Sequence, residues 1–156
     1  MEIVFLGMQL REPYRDIRHT MRMFGRQVKD SLAYARDFIP ADADPKEIWY
    51  ILKQHLTYKN DPPGVELLQS FPTMMENNYW GTPGAGDCDC FTIAAVSCAV
   101  VNHIPVRIVI VGNHKAGPSH VYCEMKYKGR WDVFDLVNPF YGETKAYRHR
   151  QVIDVK

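Results

Sequence analysis

Residues 84–91, G-A-G-D-C-D-C-F, bring two thiols and two carboxylates to the polar mouth of a long apolar run. Cys88 and Cys90 could hold a metal, close a small disulfide, pack, or supply a nucleophile. A structural zinc site usually brings a second close ligand pair, and the chain has no C-x-x-C or H-x-x-x-H. A thiol attacks a carbonyl only as its thiolate. The first turn of a helix stabilises that anion through unpaired backbone N–H groups and the macrodipole. With Asp87 as N-cap, Cys88 falls at that place. Cys90, two residues further, points about 200° away around a helix, so the two thiols do not share a face.

A cysteine nucleophile also needs a base, and the base needs an orienting group. Of the six histidines, His120 is the best placed, at the start of a strand pattern after G-N-H-K-A-G-P-S. On that strand His120, Tyr122 and Glu124 face one way and Val121, Cys123 and Met125 the other. Lys128-Gly129 reads as a tight hairpin turn, which pairs residues whose numbers sum to about 257. Asp135, within W-D-V-F-D-L, is then a diagonal neighbour of His120 on the same face. A carboxylate there holds an imidazole in its useful tautomer.

Several elements must position these groups. The run F-T-I-A-A-V-S-C-A-V-V is apolar nearly all round and rich in alanine, which predicts a buried helix over about 88–102. Val106–Val111, His120–Tyr127 and Arg130–Leu136 read as strands, with a last short one at Gln151–Val155. Met1–Gly7 reads as a strand or an extended N-terminus. Upstream, Ile17, Met21, Phe24, Val28, Leu32 and Ala35 recur at helical steps, so Pro13–Pro40 is expected to be helical, with Gly25 dividing it in two. Its other face carries Arg15, Arg18, Arg22, Arg26 and Lys29, a solvated face or a dock for an acidic partner. Asp44 and Pro45 suit the N-cap and first position of a second helix, with Ile48, Trp49, Ile51, Leu52 and Leu56 as its apolar stripe. Asn60–Gly64 and Thr82–Gly86 are breaks, and one short helix is expected between Val65 and Asn78. Helices, a central helix and then antiparallel strands make an α+β pattern.

With 156 residues, one domain spanning 1–156 is the expectation. It divides into a helical extension (1–43), a region carrying the motifs (44–138) and a C-terminal segment (139–156). A net charge of +1 gives no reason to expect a nucleic-acid or membrane partner. No apolar run is long enough to span a bilayer, and residues 1–12 lack the pattern of a secretion signal. Four cysteines, at 88, 90, 98 and 123, make no disulfide framework in a chain of this length, so a reducing, cytoplasmic setting is expected. Cys98 and Cys123 lie in apolar runs and read as core thiols. Arg107 reads as a structural ion-pair partner and Trp131 as an anchor behind the sheet.

The sequence blocks together resemble the transglutaminase-like superfamily of papain-type cysteine enzymes, in its compact bacterial and phage-associated form. Relatives carry G-D-C-D-D at the start of the central helix, then G-I-P-x-R, S-H-V-Y-x-E and W-x-x-x-D. This chain reads Gly86-Asp87-Cys88-Asp89-Cys90, His103-Ile104-Pro105-Val106-Arg107, Ser119-His120-Val121-Tyr122-Cys123-Glu124 and Trp131 through Asp135. The resemblance implies a papain/transglutaminase-like core, its central buried helix carrying the cysteine and packed on an antiparallel sheet, with extra N-terminal helices. It implies Cys88 as nucleophile, His120 as base and Asp135 as orienter. Cys90 takes a place where many relatives carry Asp. The function implied is cysteine-dependent acyl transfer on a protein or peptide substrate, most simply hydrolysis through a thioester on Cys88, with no metal or organic cofactor. An oxyanion hole needs a second donor beside the Cys88 N–H. Trp80, Asn77, Asn78 and Gln69 are available, with Trp80 the attractive donor and Tyr122 a further cleft candidate. The alternative is a structural or binding module of a phage or mobile-element assembly, virion-associated if phage-encoded, that docks a protein partner through its N-terminal helices.

Overall fold

The computed structural model describes residues 3–5, 17–63, 67–76, 78–113 and 119–156, with backbone alone for 3–5 and 17–20. The expected helical stretch before Ile17, together with Arg15, Asn77 and His114, lies outside the described residues.

A first strand, β1 (Ile3–Phe5), precedes a single long helix, α1 (Ile17–Phe38). Gly25 does not divide this helix, contrary to the sequence expectation. Phe24 and Val28 on either side of it are fully buried, and that burial outweighs the roughly 1 kcal/mol cost of a glycine in a helix. Arg22, Arg26 and Lys29 stand exposed on the opposite face. Helix α2 (Pro45–His55) starts where the sequence places it: Asp44 caps it by accepting from the Glu47 N–H at 2.9 Å. Ile48, Trp49 and Leu52 form its buried face. A short α3 (Phe71–Glu76) falls in the expected interval.

Helix α4 (Cys88–Val101) is the centre of the molecule. Ten of its residues, from Cys90 to Ala99, are buried, because α1 covers one side and the sheet the other. An all-round apolar sequence is what such a sandwiched helix requires. The sheet is wholly antiparallel, in the order β1-β7-β4-β5-β6, with β4 (Val106–Gly112), β5 (His120–Tyr127), β6 (Arg130–Phe134) and β7 (His149–Val155). Val121, Cys123 and Met125 of β5 join the α4 core, whereas Tyr122 packs with Val109 and Val111 on the other face. The α+β class and the helix-on-sheet core expected from the sequence are what the chain adopts. No described helix is long and apolar enough to cross a membrane.

The β5–β6 turn is built by Lys128 and Gly129 at φ 51° and 78°, both left-handed, as a two-residue hairpin turn demands. Cys123 pairs with Phe134 and Tyr127 with Arg130, the register read from the sequence. Strand β6 nevertheless stops at Phe134, two residues before the expected Leu136. The chain beyond it is drawn off by other partners: Lys53 of α2 donates to the Leu136 and Asn138 carbonyls at 3.0 and 3.2 Å.

A pair of two-residue parallel strands, β2 (Thr57–Tyr58) and β3 (Ala85–Gly86), was not foreseen. Strands so short carry no alternation to read. They tie the chain before Cys88 to the end of α2, through Thr57 N–H to Gly84 O at 3.0 Å and Lys59 N–H to Gly86 O at 2.8 Å. A side chain at Gly86 would put its Cβ 2.7 Å from Cys90 Cβ and 2.9 Å from Met74 Sδ. Gly86→Ala is therefore expected to lower unfolding stability by about 1–3 kcal/mol in urea titrations followed by circular dichroism. A change inside the noise would show that this neck is not close-packed.

Candidate active site

The neck delivers Asp87 and Cys88 to the start of α4. The buried Asp87 carboxylate accepts from the Asp89 and Cys90 N–H groups at 3.1 and 3.4 Å, so it caps the helix. The Cys88 N–H finds no hydrogen-bond partner among the described residues. Cys88 is half-buried, and all four cysteines are free thiols. Cys90 is turned away from Cys88, as its position two residues along requires. Its thiol donates to the Leu67 carbonyl at 3.3 Å and receives the Gln69 side-chain amide at 3.6 Å. The short Cys90 side chain thus fits against Gly86 and Gln69. Cys98 and Cys123 are core thiols with no exposure.

The early end of β6 creates the place where α4 meets the sheet. Lys126 N–H bonds to Pro105 O of the β4 side, and backbone groups alternate along an antiparallel strand. Val121 therefore directs its N–H and C=O toward β6, which has already ended. The first turn of α4 takes both groups. Thr92 Oγ1 shares its one proton between Cys88 O at 2.7 Å and the Val121 carbonyl at 3.2 Å. The Val121 N–H hydrogen-bonds the Cys88 sulfur and favours its anion.

His120 and Asp135 are brought together as the register predicted. His120 Nε2 lies 2.7 Å from Asp135 Oδ2, which leaves Nδ1 as the nitrogen free for proton transfer. Asp135 is 3% exposed and is held by two further donors, Val137 N–H at 3.2 Å and Asn138 Nδ2 at 3.0 Å. A buried carboxylate with three donors keeps its position and its charge satisfied. Lys53, by fixing the carbonyls of Leu136 and Asn138, braces the loop that supplies those donors.

Cys88 and His120 share three neighbours. Val121 meets the sulfur and is next to His120 in the chain. Asp135 bonds His120 and lines, with Cys88, Phe91, Thr92 and Val137, a narrow crevice. Tyr147 stacks on the His120 ring at 6.2 Å with planes 26° apart, and burial, then the Asp135 carboxylate, push its phenol up, with Cys88 adding less. Tyr122 is buried on the same sheet face, its ring 5.7 Å from His120. The imidazole is thus flanked by two phenol rings. No motif in the sequence marks Tyr147. It lies in a segment without periodicity, and only the pairing of β7 with β4 carries it to His120.

The other candidates have partners of their own. Trp80 occupies the turn after α3, packed edge-on against Tyr79 at 5.5 Å, and is not among the residues lining the crevice. Asn78 binds its own turn through Met74 O, Thr82 N–H and Thr82 O, and Gln69 serves Cys90 and Ala85 O. Arg107 pairs with Glu124 at 2.7 Å, as expected. Trp131 is half-buried rather than a core anchor, and the Arg107 guanidinium lies 4.2 Å over its ring.

The electrostatics around the helix mouth are anionic. Burial pushes the Cys88 thiol up to about 12, with the carboxylates of Asp89, Asp87 and Asp135 adding to it and the Val121 amide opposing. Asp87 is itself held at about 6 by burial and by the adjoining Asp61 carboxyl, against the two capping N–H groups. A carboxyl whose folded value is raised adds stability below its unfolded value, near 4, and loses it as pH rises through 6. Asp87→Asn keeps a capping oxygen without the charge. Wild type is expected to lose on the order of 2–3 kcal/mol relative to this variant between pH 4 and 6.5, measured by urea unfolding at each pH. Parallel pH profiles would contradict the assignment of a raised Asp87.

No protein-family model matches the sequence, and no curated protein matches it. Among solved structures, a candidate protease of Parabacteroides distasonis superposes on 72% of this chain with a TM-score of 0.54 and 11% identity. This chain spans only 25% of that protein's length. Legionella pneumophila LapG, in an EGTA-treated form, matches 88% of this chain and 72% of its own, with a TM-score of 0.51 and 15% identity. Likeness at these identities speaks to architecture alone. A central helix opening on Cys88, laid on an antiparallel sheet that carries His120, with Asp135 just past the end of β6, is a papain/transglutaminase-like fold.

Proposed function

We propose that the chain is a cysteine-dependent acyl-transfer enzyme, a peptidase or amidohydrolase, with Cys88 as nucleophile, His120 as base and Asp135 as its orienter. The observation that carries the reading is the 2.7 Å bond between His120 Nε2 and the buried Asp135, set beside a cysteine at a capped helix start. An imidazole so held presents Nδ1 as acceptor.

Burial and carboxylates keep the thiol protonated at neutral pH unless a cation faces it. His120 supplies that cation when it takes the proton. Cys88 Sγ loses its proton to His120 Nδ1 and attacks the carbonyl carbon. The carbonyl oxygen, now negative, is stabilised by a donor such as the Cys88 N–H, which is unpaired among the described residues. Collapse breaks the C–N bond, and the leaving amine takes the proton from the imidazolium. The thioester left on Cys88 is cleaved by water, with His120 as base again, to release the acid and restore the thiol. An amine in place of water would give transfer by the same steps. A second reading, a binding module, draws on the exposed Arg22, Arg26 and Lys29 face of α1 as a dock for an acidic protein partner.

Alkylation of Cys88 by iodoacetamide as a function of pH separates the two. The enzyme reading expects Cys88 to react well below pH 8, and His120→Ala to slow the reaction at pH 7 by about 100-fold or more. Asp135→Asn is expected to shift the same profile in the same direction by a smaller amount. A Cys88 that reacts like a free thiol in both wild type and His120→Ala would leave only the binding module.

A further inference from the structure

Tyr147, which stacks on His120 and packs against Val109, Val111 and Tyr122, lines with Asn113, Ala146 and Arg148 an open cavity of about 580 Å3. Its polar lining offers donors. Asn113 spends its side-chain oxygen on the Arg148 N–H at 3.1 Å, which leaves its NH2 group for a ligand. The Arg148 guanidinium is exposed and pairs with no carboxylate among the described residues. The Tyr147 hydroxyl has no hydrogen-bond partner among them either, and burial together with Asp135 pushes its phenol up, so it remains a donor. Asp135, the carboxylate that Tyr147 senses, is buried and already accepts from His120, Val137 and Asn138. A wall of donors around one unpaired guanidinium recognises a carboxylate, which Arg binds in a two-pronged geometry.

Tyr147 also fixes which end of a substrate reaches this wall. Its ring stacks on His120, and His120 is the group that hands the proton to the departing amine. The helix mouth on the other side is rich in carboxylates, with Asp61, Asp87 and Asp89 around Tyr58 and Cys88. With carboxylates at the helix mouth and an exposed guanidinium at the cavity, a bound peptide is ordered by charge. We propose that the Asn113–Tyr147–Arg148 cavity is the leaving-group subsite and takes a carboxylate, from either an acidic side chain or a free peptide C-terminus. The proposal rests on the reading of Cys88 and His120 as nucleophile and base.

The test uses the full chain carrying Cys88→Ala, so that peptides bind without reacting. Three otherwise identical neutral octapeptides are compared by calorimetry or ligand-observed NMR. One is blocked at both ends, one is blocked but bears a central glutamate, and one has a free C-terminal carboxylate. The glutamate or free-acid peptide is expected to bind about fivefold tighter than the neutral one, and the gain to weaken with salt. Whichever peptide gains identifies the source of the carboxylate. Arg148→Gln, a change at an exposed unpaired side chain, is expected to abolish the gain, and Arg148→Lys to keep part of it. Equal binding of all three peptides, no binding of any, or a preference that survives Arg148→Gln would overturn the proposal. Since this protein has no nucleophile, the outcome is independent of the Cys88 alkylation result.

Discussion

A strand whose neighbour ends early is left with backbone groups to satisfy, and Val121 is in that position. Its carbonyl goes to the Thr92 hydroxyl and its N–H to the Cys88 sulfur. The exchange docks the first turn of α4 on β5 at a defined height. It places the thiol next to the residue that follows His120. The same early end of β6 frees Asp135 to turn its carboxylate to His120 at 2.7 Å. One departure from ladder pairing therefore positions all three groups, and burying a backbone pair without partners would cost about 1–3 kcal/mol per group.

The charges around the site push in opposite directions. Asp87 is needed as the cap, yet with Asp89 it raises the energy of a thiolate one residue away. A helix start alone does not make Cys88 acidic, because burial and these carboxylates outweigh the Val121 amide. In the proposed mechanism the thiolate forms together with an imidazolium on His120, which Asp135 would stabilise and the rings of Tyr122 and Tyr147 flank. The anion thus appears together with its proton acceptor, within a site whose resting thiol is otherwise neutral.

The parts of this arrangement that depend on local pattern were legible in the sequence. Asp87 ahead of an alanine-rich apolar run marked the start of α4. Lys128-Gly129 set the hairpin register, and with it the meeting of His120 and Asp135. What was not legible depends on contacts between distant residues. Lys53 bonds carbonyls 83 and 85 positions away, and Tyr147 reaches His120 only because β7 pairs beside β4. The two-residue strands β2 and β3 have no period, and Gly25 looked like a break because its buried neighbours cannot be seen in sequence.

The central claim is that Cys88 forms a thioester with the help of His120. The direct measurement is mass spectrometry of the protein after brief exposure to 4-nitrophenyl acetate at neutral pH, with the modified peptide sequenced. The account predicts a single acetyl group on Cys88, released by hydroxylamine, absent in Cys88→Ser and strongly slowed in His120→Ala. Acetylation spread over lysines, or a Cys88 that acetylates equally fast without His120, would contradict it.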